Sequence, residues 1–369
     1  MKLPVYGPRV WLRIALKVLV ALIIFDVMFG LLHIADRLTA ITIYGRLVPY
    51  HTRLVVADSD LGHQVMPLNI LLKSHEISRP KGANEFRVVL LGESGIVGAG
   101  NSDNTTISAQ ITAAKETIHG DLIRAYNLGW PTGSVTRDLL IGDASLAYHP
   151  DLIVWFVTLG DFRNDNLDLL IEANSRRMTQ LTTEFGLTSF PAQTFGHADQ
   201  SWWSDTFLNQ RATVYRWLRW QIYNGLRQPN FRVFPAGIIK QFPVPEDPLI
   251  KPDDPIFMPM PGPTWDALTV LPQLTSIPIL IVNEPMYIDT TANNNYNVEV
   301  SKVAYDEYRA TLNRFCAEHH LWCIDIWNAV PPEEYTDSDY HRTPEGQGII
   351  AAAVVQEAQA RLGPQVEKK

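Results

Sequence analysis

Five short apolar runs, each about the length of a buried strand, recur along the chain after residue 86. They are FRVVLLG (86–92), LIRAYNLG (122–129), DLIVWFVTLG (151–160), SIPILIVNE (276–284) and WCIDIW (322–327). Longer stretches between them have the composition of helices, over about 135–148, 300–319 and, from Pro344, 344–362. Fully apolar strands that alternate with helices are typical of a parallel sheet covered on both faces. The pattern predicts one α/β domain over 86–365.

Residues 166–275 interrupt this alternation and are predicted to form an insertion. An aromatic-rich helix is expected over about 206–226, and the prolines of 242–263 favour a long ordered loop or cap. The helix carries Tyr215, Trp217, Trp220 and Tyr223. These rings could pack in the core, which is the commonest role of such a stripe, line a substrate cleft or rest on a membrane surface.

The N-terminus has the pattern of a membrane anchor. Residues 1–17 carry four cations and no acid, and residues 18–34 are apolar except for Asp26 and His33. With residues 11–16, the stretch reaches the roughly 20 residues needed to cross a bilayer. The cations predict a cytoplasmic N-terminus and an extracytoplasmic remainder. A cleaved signal peptide and a buried helix are the alternatives. We expect a tail and signal-anchor over 1–35 and a stalk or lead-in over 36–85.

Composition and cysteine content narrow the remaining possibilities. The hydrophobic fraction of 46% is that of a globular protein, and the net charge of −8 provides no basic surface for nucleic acid. Cys316 and Cys323 flank two histidines in CAEHHLWC, but their spacing matches none of the usual zinc patterns. A disulfide that ties a helix end to the next strand is favoured outside the cytoplasm, with free thiols as the alternative.

Distinctive polar residues follow each predicted strand. In a parallel sheet, ligands bind at the carboxyl ends of the strands, so these side chains are expected on one rim. In chain order they are Ser94; Asn127 and Gly129; Asp161, Asn164 and Asp165; Asn283 and Glu284; and Asp337, Asp339 and His341. A serine, a histidine and carboxylates that reach one rim from distant parts of the chain are the components of a nucleophilic triad.

Three of these segments, in this order, resemble the blocks of the SGNH/GDSL hydrolase family, membrane-anchored bacterial type. LLGES (90–94) is similar to its strand followed by Gly-Asp-Ser, with Glu93 in place of the Asp. NLGWPTGS (127–134) is similar to its second block and DSDYHRTPEGQG (337–348) to its last. Over residues 86–362 the resemblance implies a flavodoxin-like three-layer α/β/α fold, with a mostly parallel five-stranded sheet behind an N-terminal transmembrane helix.

The chain departs from the family in its third block, which is Gly-x-Asn-Asp with an Asn that helps to bind the oxyanion. Here the third strand continues as VTLGDFRND, and Gly160 stands in place of the Asn if Asp161 matches the Asp of the block. Asn164 follows several residues later. Either Asn164 reaches back into the site, or the oxyanion is bound by backbone N–H groups alone.

The last block also departs from the family, because the residue three before His341 is not Asp. The carboxylate that orients the histidine must then be Asp339 or Asp337. Related acetyltransferases of exopolysaccharide modification have the Asp-x-His spacing, so the resemblance favours Asp339. Glu93 is expected to anchor the serine turn by accepting backbone N–H bonds.

The resemblance implies a serine esterase or O-acyltransferase that needs no metal or cofactor. His341 would act as general base for Ser94, and the N–H groups of Ser94 and Gly129, with Asn164, would stabilise the oxyanion. Asn127 and Asp161 would complete the substrate-binding rim. The expected substrates are esters, with acetyl favoured, of cell-envelope carbohydrates or lipids.

Two other classes of function remain as alternatives. A scaffold or binding protein of the cell envelope could retain the fold with weakened chemistry. A phosphate or nucleotide binder is disfavoured, because GESGIVGAG (92–100) has neither the P-loop lysine nor the Rossmann glycine spacing.

Overall fold

The computed structural model describes residues 7–54, 67–163, 170–171, 174–187, 202–224, 233–241, 244, 248–289, 291 and 294–363. Its strands are β1 (Glu85–Leu91), β2 (Thr117–Ile118), β3 (Asp121–Asn127), β4 (Leu152–Val157), β5 (Ile279–Asn283) and β6 (Trp322–Asp325). The helices in these ranges are α1 (Pro8–Leu31), α2 (Ile34–Thr39), α3 (Leu68–Ser74), α4 (Ser94–Val97), α5 (Ile107–Ala113), α6 (Val135–Ser145), α7 (Ser175–Glu184), α8 (Phe207–Arg219), α9 (Ala267–Leu274), α10 (Lys302–Glu318) and α11 (Pro344–Leu362).

The strands form one sheet in the order β2-β3-β1-β4-β5-β6, and all neighbours from β3 to β6 are parallel. Counted along the chain, the five parallel strands have the flavodoxin-like order 2-1-3-4-5, which confirms the predicted fold class. The sheet has six strands rather than five, because β2 pairs antiparallel with β3 across a turn at His119 and Gly120. Both turn residues have positive φ, and a two-residue strand is too short to produce a recognisable sequence pattern.

Two apolar cores flank the sheet, because alternate residues of each strand point to opposite faces. On one face, Val89, Leu91 and Trp155 pack with residues of α3, α6, α9 and α10. On the other, Leu90 and Phe156 pack with residues of α5 and α11. Every residue of β4 is buried, as expected for a central strand covered on both sides.

The segment predicted as a stalk or lead-in also contributes to the first core. Tyr44, Leu54 and the buried apolar residues of α3 belong to it. Backbone bridges join His51 to His75 and Arg53 to Asn127, at the end of β3. This segment is therefore anchored to the domain at Tyr44, Leu54 and α3.

The aromatic helix of the insertion is present as α8, followed by a π-helical turn over Trp220–Asn224. Trp220 is buried against the core and Trp217 packs at its edge, as a packing stripe requires. Tyr215 instead is 58% exposed, and the Tyr223 side chain lies outside the described residues. Packing therefore accounts for only part of this stripe.

The predicted apolar N-terminal helix is present as α1, which begins with Pro8 in its first turn. It is 24 residues long, its most apolar 18-residue stretch has a mean hydropathy of 2.5, and by length and composition it could cross a membrane.

Of the three readings of the cysteine pair, the structure contains the disulfide. Cys316, near the end of α10, is bonded to Cys323 in β6, with the two Cα atoms 6.2 Å apart. The bond ties the helix to the edge strand that follows it.

Candidate active site

The serine lies at a sharp turn between β1 and α4. The turn begins at Gly92, whose φ of +147° favours glycine, and a Cβ there would lie 2.6 Å from Ile96 Cγ1. Ser94 is the first residue of α4 and is half-buried at the carboxyl edge of the sheet. Because the first N–H groups of a helix lack intrahelical acceptors, the N–H groups of Ser94 and Gly95 are suited to bind an anion.

The structure brings Ser94, His341 and Asp337 together in one hydrogen-bonded chain. His341 Nε2 lies 2.9 Å from Ser94 Oγ, although the residues are 247 positions apart. His341 Nδ1 lies 2.9 Å from Asp337 Oδ1. The His341 side chain is 17% exposed and that of Asp337 is 28% exposed, so the site is open to solvent on one side.

The loop before α11 determines which acid meets the histidine. The His341 carbonyl accepts a hydrogen bond from the Thr336 N–H at 2.8 Å, which closes residues 336–341 into a tight loop. Closure places Asp337 and His341 side by side at the two ends of the loop. The carboxylate on the histidine is therefore Asp337, and the preference for Asp339 is corrected.

Asp339 lies in the middle of this loop and points into the protein. Its backbone carbonyl accepts a hydrogen bond from the Tyr287 N–H at 2.8 Å. Its carboxylate is buried, with no hydrogen-bond partner among the described residues. Burial and the nearby Glu299 raise the pKa of Asp339 to about 8.

Asn127 and Gly129 support the serine turn from the end of β3. The Asn127 side chain donates to the Ile96 carbonyl at 2.7 Å, and its Oδ1 accepts from the Gly129 N–H at 3.1 Å. A Cβ on Gly129 would lie 2.7 Å from the Val97 nitrogen, so only glycine allows β3 to approach α4 this closely. Because the Gly129 N–H is already bonded, the structure does not present it as the predicted oxyanion donor.

Asp161 is likewise buried in a structural role and is not exposed at the site. Its Oδ2 accepts from the Thr158 N–H at 2.8 Å and caps the turn after β4, with Gly133 in contact with the carboxylate. Burial, and next the charges of Asp138 and Glu284, raise the pKa of Asp161. Asn164 lies outside the described residues.

Gly160, at the position of the family's Asn, borders open space. A Cβ there would have no atom within 4 Å. The position could therefore accept a side chain without displacing a neighbour.

Arg342, a buried guanidinium directly after His341, was not predicted from the sequence. Its Nη2 donates to Glu284 Oε2 at 2.9 Å and also to the Pro285 carbonyl. A Cβ on Gly95 would lie 2.5 Å from Arg342 Nη1, so the residue after the serine packs directly on this ion pair. Glu284 could be predicted as a polar residue at the end of a strand. Its partner Arg342 lies 58 positions away, and no local sequence pattern indicates the pairing.

Glu93 lies beside the same cluster and does not cap the serine turn as expected. Its side chain makes no capping hydrogen bond, and its Oε1 is buried without a partner among the described residues. Burial, followed by the charges of Glu284 and Asp161, raises the pKa of Glu93, while Arg342 opposes the shift. The serine turn is thus supported on its buried side by Asn127 and by the contact of Gly95 with the Arg342–Glu284 pair.

Comparisons with known proteins give distant structural likenesses. No family model and no curated protein sequence matches the chain. A solved structure assigned to the G-D-S-L lipolytic family, from Desulfitobacterium hafniense, aligns at 12% identity and a TM-score of 0.34, over 74% of this chain and 99% of its own. A structure described as an acylhydrolase, from Bacteroides fragilis, aligns at 12% identity and a TM-score of 0.39, over 80% of this chain and 98% of its own. A carbohydrate acetylesterase from Sinorhizobium meliloti aligns at 10% identity and a TM-score of 0.36, over 74% of this chain and 98% of its own.

Proposed function

We propose that this chain is a membrane-anchored serine esterase or O-acyltransferase of the SGNH type. The observation that carries the proposal is the pair of 2.9 Å contacts made by His341, one to the Ser94 hydroxyl and one to the Asp337 carboxylate. A base that touches both a hydroxyl and an orienting acid is the arrangement that activates serine as a nucleophile.

In the proposed reaction, His341 Nε2 takes the Ser94 hydroxyl proton as Oγ attacks an ester carbonyl. Asp337 holds the Nδ1 proton of His341 and stabilises the imidazolium. The oxyanion is stabilised by N–H groups in the first turn of α4. His341 then returns the proton to the departing alkoxide, leaving Ser94 acylated. Water or a sugar hydroxyl, deprotonated by His341, takes the acyl group and frees the serine.

Two features support an extracytoplasmic domain anchored by its N-terminus. The first half of helix α1 carries Arg9, Arg13 and Lys17, ahead of its more apolar second half, and this favours a cytoplasmic N-terminus. The Cys316–Cys323 disulfide is of a kind that persists outside the cytoplasm. Esters of envelope carbohydrates or lipids, acetyl esters above all, are the substrates within reach of such a domain.

One observation favours a second candidate, a scaffold with weakened chemistry. The Gly129 N–H is bonded to Asn127, and Gly160 has no side chain to donate to an oxyanion. Loss of one oxyanion donor typically costs about 10²–10³ in rate.

The two candidates differ in the reactivity of Ser94. We expect the full chain in detergent micelles to hydrolyse p-nitrophenyl acetate and to bind a fluorophosphonate probe at Ser94, located by peptide mass spectrometry. Ser94→Ala should abolish both, whereas Ser102→Ala, at another half-buried serine near the turn, should change neither. Absence of hydrolysis and of labelling in the parent would favour the scaffold.

A further inference from the structure

Helix α8 presents an apolar face to solvent. Leu208, Tyr215, Leu218 and Ile222 are each about half exposed, at 53, 58, 49 and 51%. Their spacings of seven, three and four residues place them on one side of the helix and its π-helical extension. The opposite side faces the domain: Trp217 is partly buried against the core, and Trp220, in the π-helical turn, is 4% exposed. Four large apolar side chains on one exposed face indicate a surface that contacts a partner or a membrane when the protein functions.

The start of α8 is fixed to the end of α1. The Leu208 N–H donates to Asp26 Oδ1 at 2.8 Å, and the Phe207 ring packs edge-on against Phe25 and Phe29, with centroids 5.4 and 5.3 Å apart. A Cβ on Gly30 would lie 3.1 Å from the Thr206 nitrogen, so the two backbones are in close contact.

These contacts explain the single acid in the apolar stretch and fix the depth of α8. Asp26 caps the N-terminus of α8, where a carboxylate is stabilised by unbonded N–H groups and the helix dipole. A helix of this length spans about 36 Å, against a hydrocarbon core of about 30 Å. If α1 crosses the bilayer, its last turns, and with them the start of α8, lie at the outer boundary of the hydrocarbon.

The surroundings of the face have the composition of a membrane interface. Trp202 and Trp203, about half exposed, lie in the short 3-10 turn (Trp202–Asp205) that precedes α8. The helix also carries Arg211, Arg216 and Arg219. Arg211 and Arg219 stand four residues from Tyr215 and so share its side of the helix, where a long arginine side chain can extend its charged end to the headgroups. Tryptophan at headgroup depth and arginine beside an apolar face are typical of helices that lie in the plane of a bilayer.

We propose that α8 lies in the outer surface of the membrane that α1 crosses, with Leu208, Tyr215, Leu218 and Ile222 inserted at the boundary between headgroups and acyl chains. The occupant of this face is lipid. The proposal rests on the membrane anchor of the proposed function, but not on its chemistry. It places the catalytic domain directly on the bilayer rather than on a free stalk.

Single labelled cysteines in the full chain test this placement. The native cysteines are bonded to each other, so a maleimide-linked environment-sensitive fluorophore enters only an introduced thiol. The test position is Leu218→Cys and the matched control is Leu122→Cys on β3, because the two leucines are 49 and 50% exposed. Tyr215→Cys samples the same face again, should Leu218→Cys fail to fold. Leu19→Cys in the middle of α1 reports on the anchor.

The labelled chains are reconstituted in phosphatidylcholine–phosphatidylglycerol vesicles that contain lipids spin-labelled near the headgroup or near the end of the acyl chain. We expect the headgroup quencher to reduce emission from positions 218 and 215 by at least about twofold more than from position 122. We expect the deep quencher to act most strongly on position 19.

The other outcomes overturn the inference in distinguishable ways. Quenching at 218 and 215 no greater than at 122, with position 19 still quenched, would leave the anchor and reject the surface helix. Absence of quenching at 19 would reject the anchor and the inference together. Blue-shifted emission at 218 that is insensitive to quenchers and lost on dilution with lipid would assign the face to a second copy of the chain. Each result is independent of whether Ser94 is reactive.

Discussion

At the scale of single residues, Asp337 and Asp339 show how two nearly adjacent acids acquire opposite roles. They stand two positions apart in one loop, yet Asp337 lies at the partly exposed His341, whereas the buried Asp339 carboxylate has no hydrogen-bond partner in the part of the chain that the structure describes. Their spacing to His341 in the sequence did not identify which of the two contacts the histidine. The ranking depends on how the loop closes, which is a property of its backbone hydrogen bonds.

Exchange of Asp337 for Asn tests its place in the site. The amide keeps the shape but removes the charge that holds the histidine tautomer and stabilises the imidazolium. For an active enzyme we expect kcat to fall by about 10²–10⁴, with KM nearly unchanged. Asp339→Asn, the matched control, should keep kcat within about threefold. Equal losses in the two variants, measured on the same ester, would contradict the assignment.

Asp339 makes stability depend on pH. Its folded pKa, about 8, is above its ordinary value of 3.8, so the folded chain retains a proton that the unfolded chain releases. The free energy of unfolding therefore falls as the pH rises from about 4 to about 8. Asp339→Asn removes this dependence, and we expect its Tm in micelles to exceed the parent's by roughly 5 °C at pH 8.5.

The same comparison at pH 4 is the control. The parent carboxyl is then protonated in the folded chain and about half protonated in the unfolded chain, so little of the pH-dependent destabilisation has developed and the difference in Tm should nearly disappear. A constant difference across this range would mean that the carboxylate is already paired when the protein is folded.

At the scale of elements, the turn from β1 to α4 is held by glycines at two strand ends. Gly95 packs on Arg342, and Gly129 packs on the backbone of α4. The strands themselves were predicted within a few residues, because apolar runs are local features. The four-residue α4 and the two-residue β2 were not predicted, because elements this short have no recognisable periodic pattern of apolar residues.

Gly95→Ala tests the contact beneath the serine. A Cβ would meet Arg342 Nη1 at 2.5 Å and the Tyr340 carbonyl at 2.7 Å, so the turn or the ion pair must move. We expect a loss of about 1–3 kcal/mol in the free energy of unfolding and at least a tenfold fall in kcat. Gly160→Ala, at the end of the neighbouring strand, borders open space and should leave Tm within about 1 °C. Equal tolerance at both positions would show that Gly95 is not confined.

At the scale of the whole molecule, the N-terminal helix and the α/β domain are packed on one another rather than joined by a free tether. The described parts of 36–85 contribute to the core, and α8 contacts α1 directly. We therefore expect the orientation of α1 to determine the compartment of the entire domain.

A reporter fusion tests that orientation. Alkaline phosphatase, which becomes active only where its disulfides can form, should be active when fused after Lys369 and inactive when fused ahead of Met1. In the parent, a maleimide should modify Cys316 and Cys323 only after denaturation and reduction. Phosphatase activity at the N-terminal fusion alone would reverse the proposed topology.

Sequence alone was enough to predict the fold class, the order of the strands along the chain, the apolar N-terminal helix and the edge of the sheet that carries the polar residues. These follow from period, apolarity and length, which are properties of neighbouring residues. The last helix, predicted to begin near Pro344 and to end at about Leu362, is present as α11 (Pro344–Leu362), because Pro344 and the end of the apolar pattern mark its limits.

Which of the polar residues contact one another depends on the folded arrangement of the chain and could not be predicted from the sequence. The contact of Ser94 with His341, the choice of Asp337, the ion pair of Arg342 with Glu284 and the engagement of the Gly129 N–H depend on how distant strand ends and loops are placed in space. The same holds for the cap that Asp26 provides to α8. Side-chain apposition across tens or hundreds of residues leaves no local pattern, because its geometry is set by packing of the sheet and closure of loops.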